Sequence, residues 1–357
     1  MPTTEHRRRA ALPRYGEYNC VFKYLLEVGA GVECVLPPEI TRKTVELGAK
    51  NSPDSVCVPF KTLLGSMIEA LESGAEILIM SSGLCRLGYF GELQEQILRD
   101  MGYQFEMVNL AAYEDHKQDI LRAVKKVNPR AKTAAFVKAA LDAVKMLDHV
   151  DEITADMYRS CGFETVPGAH QRAYRQFLSD MYGATCRADI ETGYQRVKQA
   201  FAAIPLNKPE HPLRVGLIGE YFTVMDPASN LHIEEKLSGM GVEVWRWMNL
   251  SNRQIRQYGD KNLHVRIRDL SVYDMGPTST ENLWCARKWA EDGFDGLIHV
   301  KSACCTPEID IMPLLQRIGA EHKLPILFLN YDTQTSDVGL MTRLEAFYDM
   351  IAMRKEE

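Results

Sequence analysis

What this chain lacks narrows its chemistry before anything it contains does. Nine cysteines are present, yet no two stand in the C-x-x-C spacing of zinc ribbons and ferredoxins. Neither a Walker A motif nor a G-x-G-x-x-G turn occurs, so the phosphate cradle of a nucleotide hydrolase or a dinucleotide enzyme is missing. Any ATP must act through a partner. No stretch approaches the ~18 consecutive apolar residues of a membrane helix, and the amino terminus lacks the continuous apolar segment of a signal peptide. The expectation is a cytoplasmic protein with no membrane partner. A basic stripe is absent too: the net charge is -6 and the pI is near 5.9, which leaves no electrostatic footprint for nucleic acid. The one basic cluster, Arg7, Arg8 and Arg9, reads as part of a solvated, flexible arm over residues 1–14.

At 357 residues the chain is longer than a single hydrophobic core usually grows, so two or more domains are expected. Hydrophobic residues at 46% and charged residues at 25% are ordinary for a globular protein and exclude disordered or fibrous classes. In a reducing compartment the cysteines do not form a disulfide framework, so some of them call for another explanation.

The order of elements follows from hydrophobic periodicity. GVECVLPP reads as a short buried strand, and EITRKTVELGAK as a helix. KTLLGSMIEALESGA carries Leu63, Leu64, Met67, Ile68 and Leu71 on one helical face. EILIM is the continuous apolar run of a central parallel strand, followed by SSGLCRLGYF, the helix GELQEQILRDMG and the strand YQFEMVNL. Residues 15–110 are thus a first Rossmann-like domain. From 111 to 211 the pattern turns helical and ends in the proline-rich IPLNKPEHP, a helical insertion and linker. LRVGLIGEY restarts the α/β order, with strands at VEVWRWMNL, GLIHV and PILFLNYD, so 212–357 is a second Rossmann-like domain. The fold class is α/β, two parallel-sheet domains joined by a helical section.

In open α/β sheets ligands bind beyond the carboxyl ends of the strands. Cys85 after EILIM and the pair Cys304 and Cys305 after GLIHV occupy that position, and Cys57 stands just ahead of a helix. A helix amino terminus lowers a thiol's pKa and suits it to bind a metal. Spacing alone leaves a cluster, a structural zinc and packed thiols open. Cys20, Cys34, Cys161, Cys186 and Cys285 read as small buried hydrophobes. Lys61 and Arg86 would offset the charge of a thiolate-ligated centre. Glu220, Asp226 and Asp332 lie at strand ends, where a carboxylate meets a ligand or caps a helix. His299, inside a strand, reads as a core histidine.

Five segments carry a family resemblance: VCVPFKTLLGSM, SSGLCRLGYFGELQEQIL, GLIGEYFTVMDPASNLHIEEKL, CCTPEIDIMPLL and DTQTSDVGLMTRLEAFYDM. They resemble the signatures of the 2-hydroxyacyl-CoA dehydratase component family, over both α/β domains and in the same order. Within that family the segments resemble the activase-associated branch of unassigned substrate.

The resemblance implies a [4Fe-4S] cluster in the cleft between the domains, with Cys57, Cys85 and Cys305 as its cysteine ligands and one iron site open to substrate. It also implies a separate activator, an ATPase of actin-like fold with its own cluster, that delivers one electron at low potential. The substrate would be an acyl-CoA, reduced to a ketyl radical that eliminates water, or another small molecule, and the assembly a homodimer. A related branch carries a double cubane, but this sequence has no second trio of loop cysteines for one. The doubling Cys304–Cys305 departs from the family pattern, and either thiol is a candidate ligand. Three readings follow: an electron-accepting dehydratase or reductase component, a non-catalytic cluster carrier or scaffold serving such a system, or a zinc site.

Overall fold

The computed structural model describes residues 7–81, 89–110, 116–251, 263–273, 275–276 and 278–356. Contacts divide the chain into two compact units. The first comprises Met1–Val56, Phe60–Leu147 and Asp180–Glu191, and the second Cys57–Pro59, Asp148–Ser179 and Thr192–Glu357.

In the first unit the elements are β1 (Arg9–Ala11), α1 (Asn19–Tyr24), β2 (Glu33–Cys34), α2 (Arg42–Lys50), α3 (Val58–Glu72, whose first two residues group with the second unit), β3 (Ile77–Ser81), α4 (Phe90–Asp100) and β4 (Glu106–Leu110). The four strands form an all-parallel sheet in the order β2-β1-β3-β4. β3 earns its central place through Ile77 and Leu78, both fully buried, and a covered parallel strand reads as a continuous apolar run for this reason. α2 and α3 cross at two glycines: a Cβ on Gly48 would meet the Lys61 carbonyl oxygen at 1.7 Å, and one on Gly65 the Thr44 oxygen at 1.9 Å. That close approach seats α3.

The arm expected at 1–14 is corrected by this sheet over residues 9–11, while residues 1–6 lie outside the described residues. Arg9–Ala11 is an inner strand, and Ala10 and Ala11 are fully buried. Arg8 and Ala10 accept backbone N–H groups from Glu33 and Val35, and Arg9 accepts one from Glu76. The basic cluster is not a solvated tail either, since Arg8 pairs with Glu106 at 2.6 Å and Arg9 with Glu33 at 3.1 Å. Three residues are too few to show a period, and their hydrogen bonds go to distant segments. GVECVLPP, read as a buried strand, contributes only β2 at the sheet's edge, with Glu33 exposed.

The section expected as a helical joining piece is helical, but it is shared between the units. Its helices are α5 (His116–Val127), α6 (Thr133–Ser160), α7 (Ala169–Gly183) and α8 (Arg187–Ala202), and the division falls within the last three.

The second unit continues with β5 (Leu213–Gly219), α9 (Tyr221–Met225), α10 (Ile233–Gly239), β6 (Val242–Arg246), α11 (Leu263–Arg266), α12 (Ser279–Glu291), β7 (Gly296–Ser302), α13 (Thr306–Asp310), α14 (Met312–Glu321), β8 (Ile326–Tyr331) and α15 (Asp337–Glu356). Its sheet is again all parallel, in the order β6-β5-β7-β8, the same winding as the first. Every residue of β7 is buried. Ile218, Leu283, Leu297, Leu315 and Trp289 form the core between this sheet and the helices α12 and α14. The winding reverses between β5 and β7, and a crevice opens at that point in doubly wound sheets. Among the described residues no helix is long and apolar enough to cross a membrane.

Candidate functional site

The carboxyl ends of β5 and β7 flank the winding reversal of the second unit, and most of the chemistry-bearing residues gather there. β5 ends at Gly219, whose φ of +153° and closeness to β7 admit no side chain: a Cβ would meet the Val300 carbonyl oxygen at 1.8 Å. The chain then turns through Glu220, whose N–H is donated to Val300 O at 3.0 Å. The Glu220 carboxylate accepts the Phe222 and Thr223 N–H groups at 2.8 and 2.7 Å and so caps α9. Burial and, less strongly, the nearby Glu308 push its pKa up, against the pull of those N–H donors.

β7 ends at Ser302, and Cys304 and Cys305 follow. Cys305 is the residue before α13, half-buried, while Cys304 is exposed. Cys305 donates its N–H to the Ser302 carbonyl at 3.0 Å and accepts that of Ile309 at 3.0 Å, so its backbone is held on both sides. Cys57, half-buried, immediately precedes α3, and contacts group Cys57–Pro59 with the second unit. Val58, next to Cys57, donates its N–H to the buried Ser302 hydroxyl at 3.2 Å. One serine therefore holds both the neighbour of Cys57 and Cys305 itself. Cys85 and Arg86 lie outside the described residues. Among the described residues no group of three or more His, Cys, Asp or Glu side chains stands ready to hold a metal.

Beneath the Cys304–Cys305 loop lies a polar network that sequence reasoning missed. Glu308 of α13 is completely buried. Its carboxylate accepts from Thr278 Oγ1 at 2.5 Å and from Asn282 Nδ2 at 2.9 and 3.1 Å, and it bonds His299 Nε2 at 2.6 Å. Asn282 also bridges to the backbone of Gly219, giving to its oxygen and taking its N–H. The network ties α12, α13 and β7 together directly below the cysteine pair. His299 is thus a bonded core histidine on its Nε2 side, while its buried Nδ1 has no partner among the described residues. On the same strand Lys301 is only 3% exposed. Burial pushes its pKa below the ordinary lysine value, against the opposing pull of Cys305, Glu308 and Cys304. A lysine at an inward position of an apolar strand, GLIHVKS, was the signal the sequence offered.

Two other strand-end carboxylates act locally. Asp226 accepts the Ser229 N–H at 2.8 Å, and Asp332 accepts the N–H of Gln334 and the hydroxyl of Thr335. Lys61 gives its ammonium to the Asp54 carbonyl at 3.1 Å. Burial raises the thiol pKa of Cys20 and Cys34 to about 12 and of Cys161 to about 11, and lifts Cys285 well above the ordinary value. Those four thiols behave as packed groups. Cys186 is exposed instead, in the turn before α8, because Asp189 draws its N–H and that of Thr185 into a helix cap.

No family model matches the chain, and no curated protein does. The family resemblance therefore rests on the motifs quoted above, and the function on the site itself.

Proposed function

We propose that this protein is the iron–sulfur component of an ATP-dependent, low-potential electron-transfer system, a dehydratase-like or reductase-like enzyme component with Cys57, Cys85 and Cys305 as ligands of a [4Fe-4S] cluster. The observation that carries the reading is the double use of Ser302. Its hydroxyl holds Val58 and its carbonyl holds Cys305, so the backbones beside two of the three cysteines are fixed to one residue at the end of a buried strand. Thiolates are the usual ligands of such clusters, and the two described donors, Cys57 and Cys305, are soft and half-buried, with Cys305 just beyond the carboxyl end of a parallel strand.

A bound cluster supplies one-electron transfer and an iron site open to substrate. The chain's own part is to hold the thiols and to exclude water. Glu308 fixes α13, and with it the backbone of Cys305, against α12 and β7. Cys304, exposed beside Cys305, is the alternative ligand. The chain carries no nucleotide motif of its own, which supports a separate ATPase of actin-like fold, with its own cluster, as the electron donor. A small molecule or acyl-CoA is the acceptor. A cytoplasmic homodimer completes the proposal.

Anaerobic purification followed by iron, sulfide and zinc analysis tests it. Iron and sulfide near about four each per chain, lost in the Cys57→Ala, Cys85→Ala and Cys305→Ala variants but retained in Cys304→Ala, is the expected result. Zinc in place of iron, or no metal, refutes it. A cluster whose EPR spectrum responds to no acyl-CoA would make the protein a carrier rather than an enzyme.

A further inference from the structure

Each of the two sheets ends in two edge strands, and most of these edges carry features that keep an edge from pairing. β2 is two residues long, β4 opens on Glu106, and β6 holds Glu243 and Arg246. β8 is the exception. Its residues, ILFLNY, include no charge and no proline, and its register on β7 runs without a bulge from Ile326 to Tyr331. The carbonyls of Pro325 and Tyr331 accept the N–H groups of Leu297 and Ala303 at 2.9 and 2.8 Å. The odd-numbered residues of β8 therefore turn their backbone toward β7, and Ile326, Phe328 and Asn330 turn theirs outward. Among the described residues nothing takes up those outward N–H and C=O groups. Ile326, Leu327 and Phe328 are half-buried and Asn330 is exposed, so the edge can be reached.

We infer that β8 pairs with β8 of a second copy of this chain, antiparallel about a twofold axis at Phe328, and joins the two second-unit sheets into one. The charges at the ends of the strand select both the occupant and the direction. Exposed Lys323 lies shortly before β8 and exposed Asp332 immediately after it. A twofold pairing of one strand with itself is antiparallel, and it sets Lys323 of each copy beside Asp332 of the other, whereas a parallel pairing would set like charges together. In the same register Phe328 faces its own counterpart and Ile326 faces Asn330, so each outward N–H meets an outward C=O. Main-chain bonds of this kind are what give an added strand its affinity. The inference rests on the function proposed above for the number of copies alone; where the copies meet follows from β8 and requires no cluster. Because the paired strands run in opposite directions, the two Cys304–Cys305 loops stand at opposite ends of the joined sheet, and each site acts by itself.

The test is sedimentation velocity of the full chain in reductant, over a concentration series, before and after anaerobic iron loading. The wild type is expected to sediment as a dimer. Asn330→Pro removes an outward donor and leaves the ladder to β7 intact, since proline is tolerated where a strand's N–H faces away from its sheet. It should weaken dimerisation by about thirtyfold or more. Lys323→Asp, which sets carboxylates side by side, should weaken it about fivefold, and adding Asp332→Lys should restore it. Circular dichroism and an unchanged thermal midpoint establish that each variant is folded; if Asn330→Pro is not, the charge reversal and its rescue decide alone. Leu141→Lys, on an exposed part of α6, is expected to leave the dimer as it is. A monomeric wild type overturns the inference, as does a dimer indifferent to the edge variants or one that Leu141→Lys abolishes. Iron content separates the two readings: an edge-dependent dimer in a chain that takes up no iron keeps the interface and removes the cluster. An iron-loaded monomer does the reverse.

Discussion

Val58 and Ser302 lie 244 residues apart in the chain and meet in a hydrogen bond of 3.2 Å from the Val58 N–H to the Ser302 hydroxyl. Cys57 precedes the first of them, and Cys305 donates its own N–H to the carbonyl of the second. Replacing Ser302 with alanine removes the acceptor without adding volume, leaving a part-buried donor unmatched at a cost of about 1–3 kcal/mol. Denaturant unfolding should show that loss, and anaerobic iron loading should fall in Ser302→Ala and recover in Ser302→Thr.

Glu308 is the keystone beneath the cysteine pair. Glu308→Gln keeps the shape but takes the charge from an acceptor shared by Thr278, Asn282 and His299. A loss of about 2–4 kcal/mol in urea unfolding is expected. A variant within 0.5 kcal/mol of wild type, a difference about the size of a neutral surface change, would show that the network is not structural.

Gly219 tolerates no side chain, since a Cβ would sit 1.8 Å from the Val300 oxygen at a φ of +153°. Gly219→Ala must push β5 from β7 and should cost about 3 kcal/mol or more, read as a lowered thermal midpoint. A neighbouring control, Ala228→Gly in the loop after α9, should cost far less.

Thiol reactivity should sort by burial. Exposed Cys186 and Cys304 are expected to react first with iodoacetamide in the native, metal-free chain. Cys20, Cys34, Cys161 and Cys285, whose pKa values burial raises, should stay unmodified until the protein unfolds. Mass spectrometry of peptides after timed quenching measures the order.

Glu220 gives a pH dependence of definite sign. Its native pKa is raised by burial above the ordinary 4.5, so the native chain binds more protons than the unfolded one in the window upward from that value. By linkage, stability then falls as pH rises through the window and levels off once the native carboxyl also ionises. Glu220→Gln keeps an acceptor for the α9 cap and removes the titration. Thermal midpoints should fall more steeply from pH 4.5 upward in the wild type than in the variant. A shallower fall in the wild type would contradict the assignment.

Much of this protein was legible locally. The runs EILIM, VGLIG and GLIHV are strands β3, β5 and β7 because a parallel strand covered on both faces must be apolar throughout, and α3 follows from the helical spacing of Leu63, Leu64, Met67, Ile68 and Leu71. The alternation of strand and helix gave two parallel α/β sheets, and the positions of Cys304 and Cys305 at a strand's carboxyl end came with it.

The tertiary structure decided the rest. RAA became an inner strand only because β2 and β3 supply partners for its backbone, and three residues hold no period of their own. Lys301, His299 and Glu308 are ordinary letters until β7 is buried and α13 folds back over it. Their chemistry depends on desolvation and on which groups share a face, neither of which a linear pattern encodes. The sequence by itself determined most of the elements and their parallel α/β order, since hydrophobic periodicity is local. Which polar groups are sealed together depends on contacts between segments far apart in the chain, and those exist only once the sheets have closed.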